Sequence, residues 1–410
     1  MRLKLFVENG LPLFVFSPLP VEVLHDGADD FAISIFKRGD VAPYGGYAFY
    51  HTAMRGGQQV HIQKFFDKGT ADAIFLMKGA NVRWASGFKG ADSYLLTTPE
   101  RAFLITDPRY TEQAGIECPD IKAVNWREKG GVMKAAAKII KELNLRRIAF
   151  EDDALTYQLY GALSKETDAE LIPAAGEIEK LRSVKTAEEI QYLRAACDIA
   201  CRAFYRILED IRVGVTEKEL AAKLSAYMVF EGADTQPYGN ILISGPNTSL
   251  LHGIPSDRAL GYGDFVLMDY GCQFNGYMSD MTRTVVVGKA TDEQKCVYAL
   301  EKQMIEDSLA VMKAGADTGE VYRASIKAIE NTEYFKYHYT GVGHGIGLFV
   351  HEHPFINPAG GSVYVPNTVT TIEPGLYIPG WGGVRIEDQV IIKENGNENL
   401  ISVPHELIEV

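Results

Sequence analysis

The sequence predicts an α+β protein in two parts. A smaller α/β domain comes first, and a larger domain follows in which a pseudo-two-fold, curved antiparallel sheet is backed by outer helices. Three observations predict this. Between Ala71 and Pro173, short apolar runs alternate with helical stretches, the rhythm of an α/β layer. From Thr186 onward, a pattern of capped helices followed by strand-forming runs occurs twice, which makes two similar halves. Within the first of those halves, Asp264 to Thr284 reads as a β-hairpin that sets two carboxylates between apolar strands. Two such halves side by side place a site between them.

Taken in order, residues 1–65 mix apolar runs with Gly and Pro and show no sustained period, so they form an atypical N-terminal extension. A shortened helix is expected near its end, at Val60 to Asp67. Ala71 to Met77 is a compact apolar strand. Ser93–Thr97 and Ala102–Thr106 form a hairpin across Thr98-Pro99-Glu100. Val132–Leu143 is an amphipathic helix, Arg147–Phe150 a strand, Ala154–Leu163 a helix and Glu170–Pro173 a strand. Ile178–Lys185 is a charged connector. Thr186 with Glu189 and Thr216 with Glu219 make capping boxes for two helices, the second ended by Gly232. Thr291 with Gln294 caps a third helix, and a shorter one follows around Glu320 to Ile329. The domains are therefore 1–65, 66–178 and 179–410.

The hairpin turns at Asn275-Gly276, the strongest short hairpin signal. With a two-residue turn, Gln273 opposes Met278 and Asp269 opposes Thr282. Asp280 then shares a face with Asp269. Like charges held that close need a cation or a proton between them. Further along, His344 lies in the glycine run Gly341 to Gly347, where the missing side chains let a metal or substrate approach. Glu373 ends the apolar strand VTTIE before Pro374-Gly375. Glu387 sits inside VRIEDQVII, expected as one buried strand. Taken singly, each acid reads better as a solvated strand end or a salt-bridged group, with Arg283 and Arg385 near enough to be partners. Taken together, Asp269, Asp280, His344, Glu373 and Glu387 are four carboxylates and one imidazole, a hard donor set suited to Mn²⁺, Fe²⁺, Co²⁺ or Zn²⁺. The set exceeds the needs of a single zinc and fits a pair of divalent metal ions better.

The segments HGIP (252–255), DYG…GYMSDMTRT (269–284), GHGIGLFVHEHP (343–354), IEPGLY (372–377) and VRIEDQV (384–390) resemble the five signature blocks of the pita-bread metallopeptidases. The resemblance covers about residues 69–410 and keeps the family order. It implies a pita-bread catalytic domain over 179–410 and a creatinase-like N-terminal domain over 66–178. It further implies that Asp269, Asp280, His344, Glu373 and Glu387 hold two divalent metal ions, Mn²⁺ first and Co²⁺, Zn²⁺ or Fe²⁺ as alternatives. By the same resemblance Asp280 and Glu387 match bridging positions, and Glu373 also handles the proton of a metal-bridging hydroxide. His252 and His351 match substrate-contacting, oxyanion-stabilising histidines, and Arg385 a supporting arginine.

The ending Thr282-Arg283-Thr284, RYTEQA (109–114) and LRSVKTAEEI (181–190) resemble the Xaa-Pro branch, aminopeptidase P and prolidase. The implied reaction is metal-dependent hydrolysis of the bond after the N-terminal residue of small peptides with a free N-terminus, in a homodimer. One departure bears on proline specificity: the histidine that many Xaa-Pro enzymes carry four residues before the metal histidine is Thr340 here, with His338 two residues earlier. The alternatives are an exopeptidase of other specificity and a non-enzymatic binding protein on the same fold. Binding-only relatives usually lose ligands, and this chain keeps all five. A creatinase-type enzyme works without metal, so the intact set counts against it too.

Composition sets the remaining bounds. The chain has 410 residues, 46% apolar and 23% charged, which is ordinary for a soluble globular protein. A net charge of −13 argues against nucleic acid as partner. No apolar run approaches the roughly 18 residues needed to cross a bilayer, so no membrane is expected. Met1 to Pro18 starts like a signal peptide, but Glu8, Asn9 and Gly10 interrupt it. Five cysteines without paired spacing do not make a disulfide framework, and Cys197 and Cys201 fall on a buried helical stripe. Cytoplasm is the expected compartment.

Overall fold

The computed structural model describes residues 5–8, 11–14, 62–236 and 239–410. Met1–His51 and Thr52–Val410 are separate compact units. In the first, β1 (Leu5–Glu8) and β2 (Leu11–Phe14) pair antiparallel. The rest of the expected extension over 1–65, and of the charged-then-apolar start over 1–18, lies almost wholly outside the described residues.

In the second unit the first element among the described residues is a short helix, α1 (62–66), inside the stretch expected to be helical. Then come β3 (Ala73–Leu76), α2 (Gly79–Ser86), β4 (Tyr94–Thr97), β5 (Ala102–Thr106), α3 (Thr111–Glu117) and β6 (Lys122–Asn125). They are followed by α4 (Val132–Glu142), β7 (Arg147–Phe150), α5 (Tyr157–Glu166) and β8 (Glu170–Pro173). The strands form one mixed sheet in the order β6-β5-β4-β3-β7-β8. Thr97 opposes Ala102 across the expected hairpin. One face of the sheet, with Phe75, Leu96 and Ile148, packs on Ala136, Ile139 and Ile140 of α4. Helix α2 carries no sequence signal at its start, because Lys78 offers no side-chain cap; its end is marked by Gly87 in the left-handed region.

The stretch expected as a charged connector is a helix, α6 (Glu177–Ser183). Glu177 and Glu179 lie in its first turn and Lys180 and Arg182 in its last, so the charges that suggested a linker complement the helix dipole instead.

The larger domain begins with α7 (Ala187–Leu208) and α8 (Glu217–Phe230), each opened by the expected capping box. After β9 (Ile241–Ser244), the hairpin is built from β10 (Phe265–Tyr270), β11 (Gln273–Phe274), β12 (Tyr277–Met278) and β13 (Met281–Val286). Gln273 opposes Met278 and Asp269 opposes Thr282, so one unbroken register runs from the turn to the strand ends. Helix α9 (Asp292–Val311) has its capping box, and α10 (Thr318–Ile326) starts two residues earlier than expected because Asp317 caps it. The last part holds β14 (Gly343–Gly345), β15 (Glu352–Ile356), β16 (Val369–Ile372), β17 (Gly375–Ile378), β18 (Gly382–Arg385), β19 (Asp388–Lys393) and β20 (Gly396–Asn399).

The two larger sheets are β13-β10-β9 and β15-β14-β16-β19-β20, joined by a bridge between Thr282 and Glu387; β11-β12 and β17-β18 are two-stranded, and all these pairings are antiparallel. Each half has its own helical backing. Val266, Met268 and Tyr270 pack with Leu193, Phe204 and Leu224 of α7 and α8, in a core shared with the second face of the N-terminal sheet. Phe265, Ile372, Val384 and Val390 pack with Val297, Met304 and Val321 of α9 and α10. This is the predicted pita-bread fold with its creatinase-like domain. Among the described residues no helix is long and apolar enough to cross a membrane. Cys118, Cys197, Cys201 and Cys272 are buried thiols, and Cys296 is an exposed one.

Candidate metal centre

Strand alternation places one acid of the site, and breaks between strands place the others. Asp269 sits in β10 between Met268 and Tyr270, whose side chains enter the helix-backed core, so its carboxylate emerges on the opposite face. Asp280 lies between β12 and β13, with its backbone N–H donating to Gln389 Oε1 at 3.1 Å. Glu387 does not lie inside one continuous strand as the sequence suggested. It falls between β18 and β19, and its N–H donates instead to the Thr282 carbonyl at 3.0 Å. That break aims its side chain at the hairpin, where Thr282 Oγ1 donates to Glu387 Oε2 at 2.8 Å.

His344 is on a short strand, β14, rather than a glycine loop. Its Nδ1 lies 3.0 Å from the Gly345 carbonyl and must donate there, which leaves Nε2 as the ring acceptor. Nε2 is 3.6 Å from Asp280 Oδ2 and 3.4 Å from Glu373 Oε1. The neighbouring glycines serve packing, not access. A Cβ on Gly345 would lie 2.2 Å from the His353 carbonyl oxygen, and one on Gly343 would lie 2.4 Å from that of Thr371.

Ligand atoms of Asp280, His344 and Glu387 all lie within 4.8 Å of one another, and all three residues are buried. Glu373 joins them through His344, and its side chain is the most open of the four at 23% exposure. Asp269 pairs with Arg385, whose Nη2 donates to Asp269 Oδ2. Arg385 also donates from Nη1 to the Tyr377 hydroxyl at 2.9 Å and from Nε to Thr282 Oγ1 at 3.1 Å. Arg283 belongs elsewhere: it pairs with buried Asp388, which also meets His405 Nε2 at 2.6 Å.

The electrostatics have the signature of a cation site. Burial, reinforced by Asp280, Glu373 and Asp269, pushes the Glu387 carboxyl well above its usual range. Burial also raises Glu373 to about 7, with Asp269 adding to the rise and Arg385 and His252 opposing it. Burial lowers His344, which favours the neutral, ligating imidazole. Crowded buried carboxylates beside a neutral imidazole fit divalent cations, which would neutralise the repulsion.

His351 is exposed, and its ring packs edge-on against His344 with centroids 4.4 Å apart. Burial, His344 and His252 lower its basicity. His252 is exposed on the loop after Ser249, a loop tied to Arg385 only by a long 3.5 Å contact from Nη1 to the Leu251 carbonyl. His338, two residues before Thr340, is turned to the Tyr322 hydroxyl at 3.0 Å. The sequence places Thr282 opposite Asp269 and in the Thr282-Arg283-Thr284 ending without giving it a role, and it singles out neither Tyr377 nor Gln389, which lie inside IEPGLY and VRIEDQV. Thr282 and Gln389 act across contacts 105 and 109 residues apart, which no local pattern encodes, whereas Tyr377 meets Arg385 only 8 residues on, across the β17–β18 pair.

Two family models match: metallopeptidase family M24 over residues 191–394 and the creatinase/prolidase N-terminal domain over residues 60–184. An uncharacterized peptidase of Bacillus subtilis is 37% identical over 85% of this chain and 98% of its own. A Xaa-Pro dipeptidase of Pyrococcus furiosus is 32% identical over 84% of this chain and 97% of its own. Among solved structures, a Xaa-Pro dipeptidase from Bacillus anthracis superposes with TM-score 0.82 at 37% identity, covering 86% of this chain and 99% of that one. The X-Pro aminopeptidase of Thermotoga maritima gives 0.77 at 34% identity, covering 83% and 98%.

Proposed function

The chain belongs to metallopeptidase family M24, an enzyme of the Xaa-Pro peptidase type, and we propose that it hydrolyses the bond after the N-terminal residue of small peptides whose second residue is proline. The observation that carries this reading is the buried convergence of Asp280, His344 and Glu387, with Glu373 beside them and Asp269 on the same hairpin. These five would hold two divalent cations, Mn²⁺ first. When bound, such cations neutralise the carboxylates, make water acidic near neutral pH and polarise a carbonyl.

The chain's own groups do the rest. Glu373, beside His344 and the most open of the acids around it, takes the proton of the attacking water and passes it to the leaving nitrogen. His252 and His351 donate to the oxyanion that develops on the scissile carbonyl. Arg385 keeps Asp269 and Thr282 in place. A free substrate amino group is drawn to the acidic edge of the site, which makes the enzyme an exopeptidase. A cytoplasmic location is part of the same proposal, in keeping with five cysteines that all stand as free thiols. So is a homodimer, as the family resemblance implies, and light scattering checks it.

The test is hydrolysis of Ala-Pro, Ala-Pro-Ala, Met-Ala-Ser and Ala-Ala-Ala by chelated enzyme with Mn²⁺, Co²⁺ or Zn²⁺ restored. Cleavage of Ala-Pro alone identifies a dipeptidase, and cleavage of Ala-Pro-Ala an aminopeptidase. Preference for the proline-free peptides would assign the other specificity, consistent with Thr340 and with a His338 turned to Tyr322. Absence of both hydrolysis and metal binding would leave a binding protein on this fold.

A further inference from the structure

A buried polar chain runs from the N-terminal domain to the loop that carries His351. At its centre, Glu352 accepts from Arg182 Nη2 and, at 3.1 Å, from Lys185 Nζ; all three side chains are buried. Glu352 Oε1 also accepts the Phe349 N–H at 2.9 Å, which closes the loop on itself. The Gly347 carbonyl accepts the Met278 N–H at 2.9 Å from β12, so the same loop is tied to the acid-bearing hairpin. A Cβ at Gly347 would lie 2.9 Å from Lys185 Nζ and 3.0 Å from Glu352 Oε1, so a side chain there would have to displace these two groups.

In the other direction, Arg182 Nη1 donates to Asn81 Oδ1. Asn81 Nδ2 donates to Glu179 Oε1 at 2.8 Å and to Glu151, which in turn accepts the Met77 and Lys78 N–H groups at the start of α2. Asn81 and Glu151 are both buried. Burial alone would raise the Glu352 carboxyl; Lys185 and Arg182 more than offset it and hold the group below its usual range. A charge so desolvated has one low-energy arrangement, because losing either partner leaves it stranded.

We propose that Glu352 is a positioning residue, clamped by Arg182 and Lys185, that fixes His351 against His344, and that the N-terminal domain sets this clamp through Asn81 and Glu151. The docked state of the N-terminal domain is thereby coupled to a group of the catalytic domain. The kinetic part of this inference rests on the proposed role of His351; the structural part does not.

The test uses the full chain with Arg182→Gln, Glu352→Gln and Arg182→Lys. Hydrogen exchange is measured first, without metal or peptide. Exchange at residues 347–353 is expected to rise about tenfold in both Gln variants while α7 and α9 stay protected, with partial return in Arg182→Lys. Unchanged exchange there, or equal loss of protection throughout, overturns the inference. Turnover is then measured in a double-mutant cycle with His351→Ala. Arg182→Gln is expected to lower kcat about 10–100-fold in the parent and less than about threefold beside His351→Ala, with KM little changed. Equal losses in both backgrounds would make Arg182 merely structural and overturn it. If the parent hydrolyses no peptide, the functional reading fails by itself and exchange alone decides the inference.

Discussion

Thr282 and Glu387 are joined twice, through the Glu387 N–H to the Thr282 carbonyl at 3.0 Å and through Thr282 Oγ1 to Glu387 Oε2 at 2.8 Å. The same hydroxyl accepts from Arg385 Nε, and Arg385 holds Asp269. One side chain therefore sets acids from both halves of the sheet. Thr282→Val keeps the shape and removes the hydroxyl. It is expected to weaken divalent-cation binding about 10–100-fold and to cost about 1–3 kcal/mol of stability. Thr282→Ser should restore most of both, as read by calorimetric metal titration and thermal melts.

The crowded acids predict opposite effects of one substitution with and without metal. Burial and neighbouring carboxylates make the Glu387 charge unfavourable in the metal-free protein. Glu387→Gln should therefore raise the melting temperature of chelated protein. The parent should gain about 2.7 kcal/mol at a cation concentration of about 100 Kd, and Glu387→Gln should gain little. Asp280→Ala and Glu387→Ala should abolish metal uptake and turnover together. Full activity in either would remove these residues from the site.

How much of this was legible in the sequence depends on distance along the chain. The hairpin register follows from its own turn residues, so the opposition of Asp269 and Thr282 could be read directly. The capping boxes at Thr186, Thr216 and Thr291 are equally local. The Thr282–Glu387 junction joins residues 105 apart, and the Arg182–Glu352 contact residues 170 apart, so no local pattern encodes either. Helix α6 was misread for a related reason. Its charges suit a solvated connector equally well until Arg182 and Glu179 are seen to have buried partners.

Glu301 predicts a pH dependence. It occupies the buried stripe of α9 with Val297, Met304 and Ser308, and neither carboxylate oxygen has a hydrogen bond of ordinary geometry. Burial pushes its carboxyl well above the usual range, with only partial relief from the Ile386 amide and Arg385. The folded protein thus keeps a proton that the unfolded chain releases above about pH 4.5. This group's contribution to stability is fully present below that pH and is lost as pH rises towards the folded value, by up to about 1.4 kcal/mol per unit. Glu301→Met should therefore stabilise the protein more at pH 8 than at pH 5. Parallel stability–pH curves for parent and variant would show that Glu301 ionises freely in the fold.

Gly345 separates two explanations for the glycines around His344. If they keep the imidazole accessible, an added methyl should hinder substrate and leave the strands alone. The packing says otherwise, because a Cβ there would meet the backbone carbonyl of His353 at 2.2 Å and that of Glu352 at 3.0 Å. Backbone cannot yield as a flexible side chain can, so β14 and β15 must part, and His344 moves with β14. Gly345→Ala is expected to cost about 1–3 kcal/mol and to weaken metal binding by about tenfold or more. Gly396→Ala is the control, since nothing lies within 4 Å of its Cβ position, and its effect should stay within about 0.5 kcal/mol. A Gly345→Ala protein that melts and binds metal like the parent but shows a raised KM would restore the access explanation.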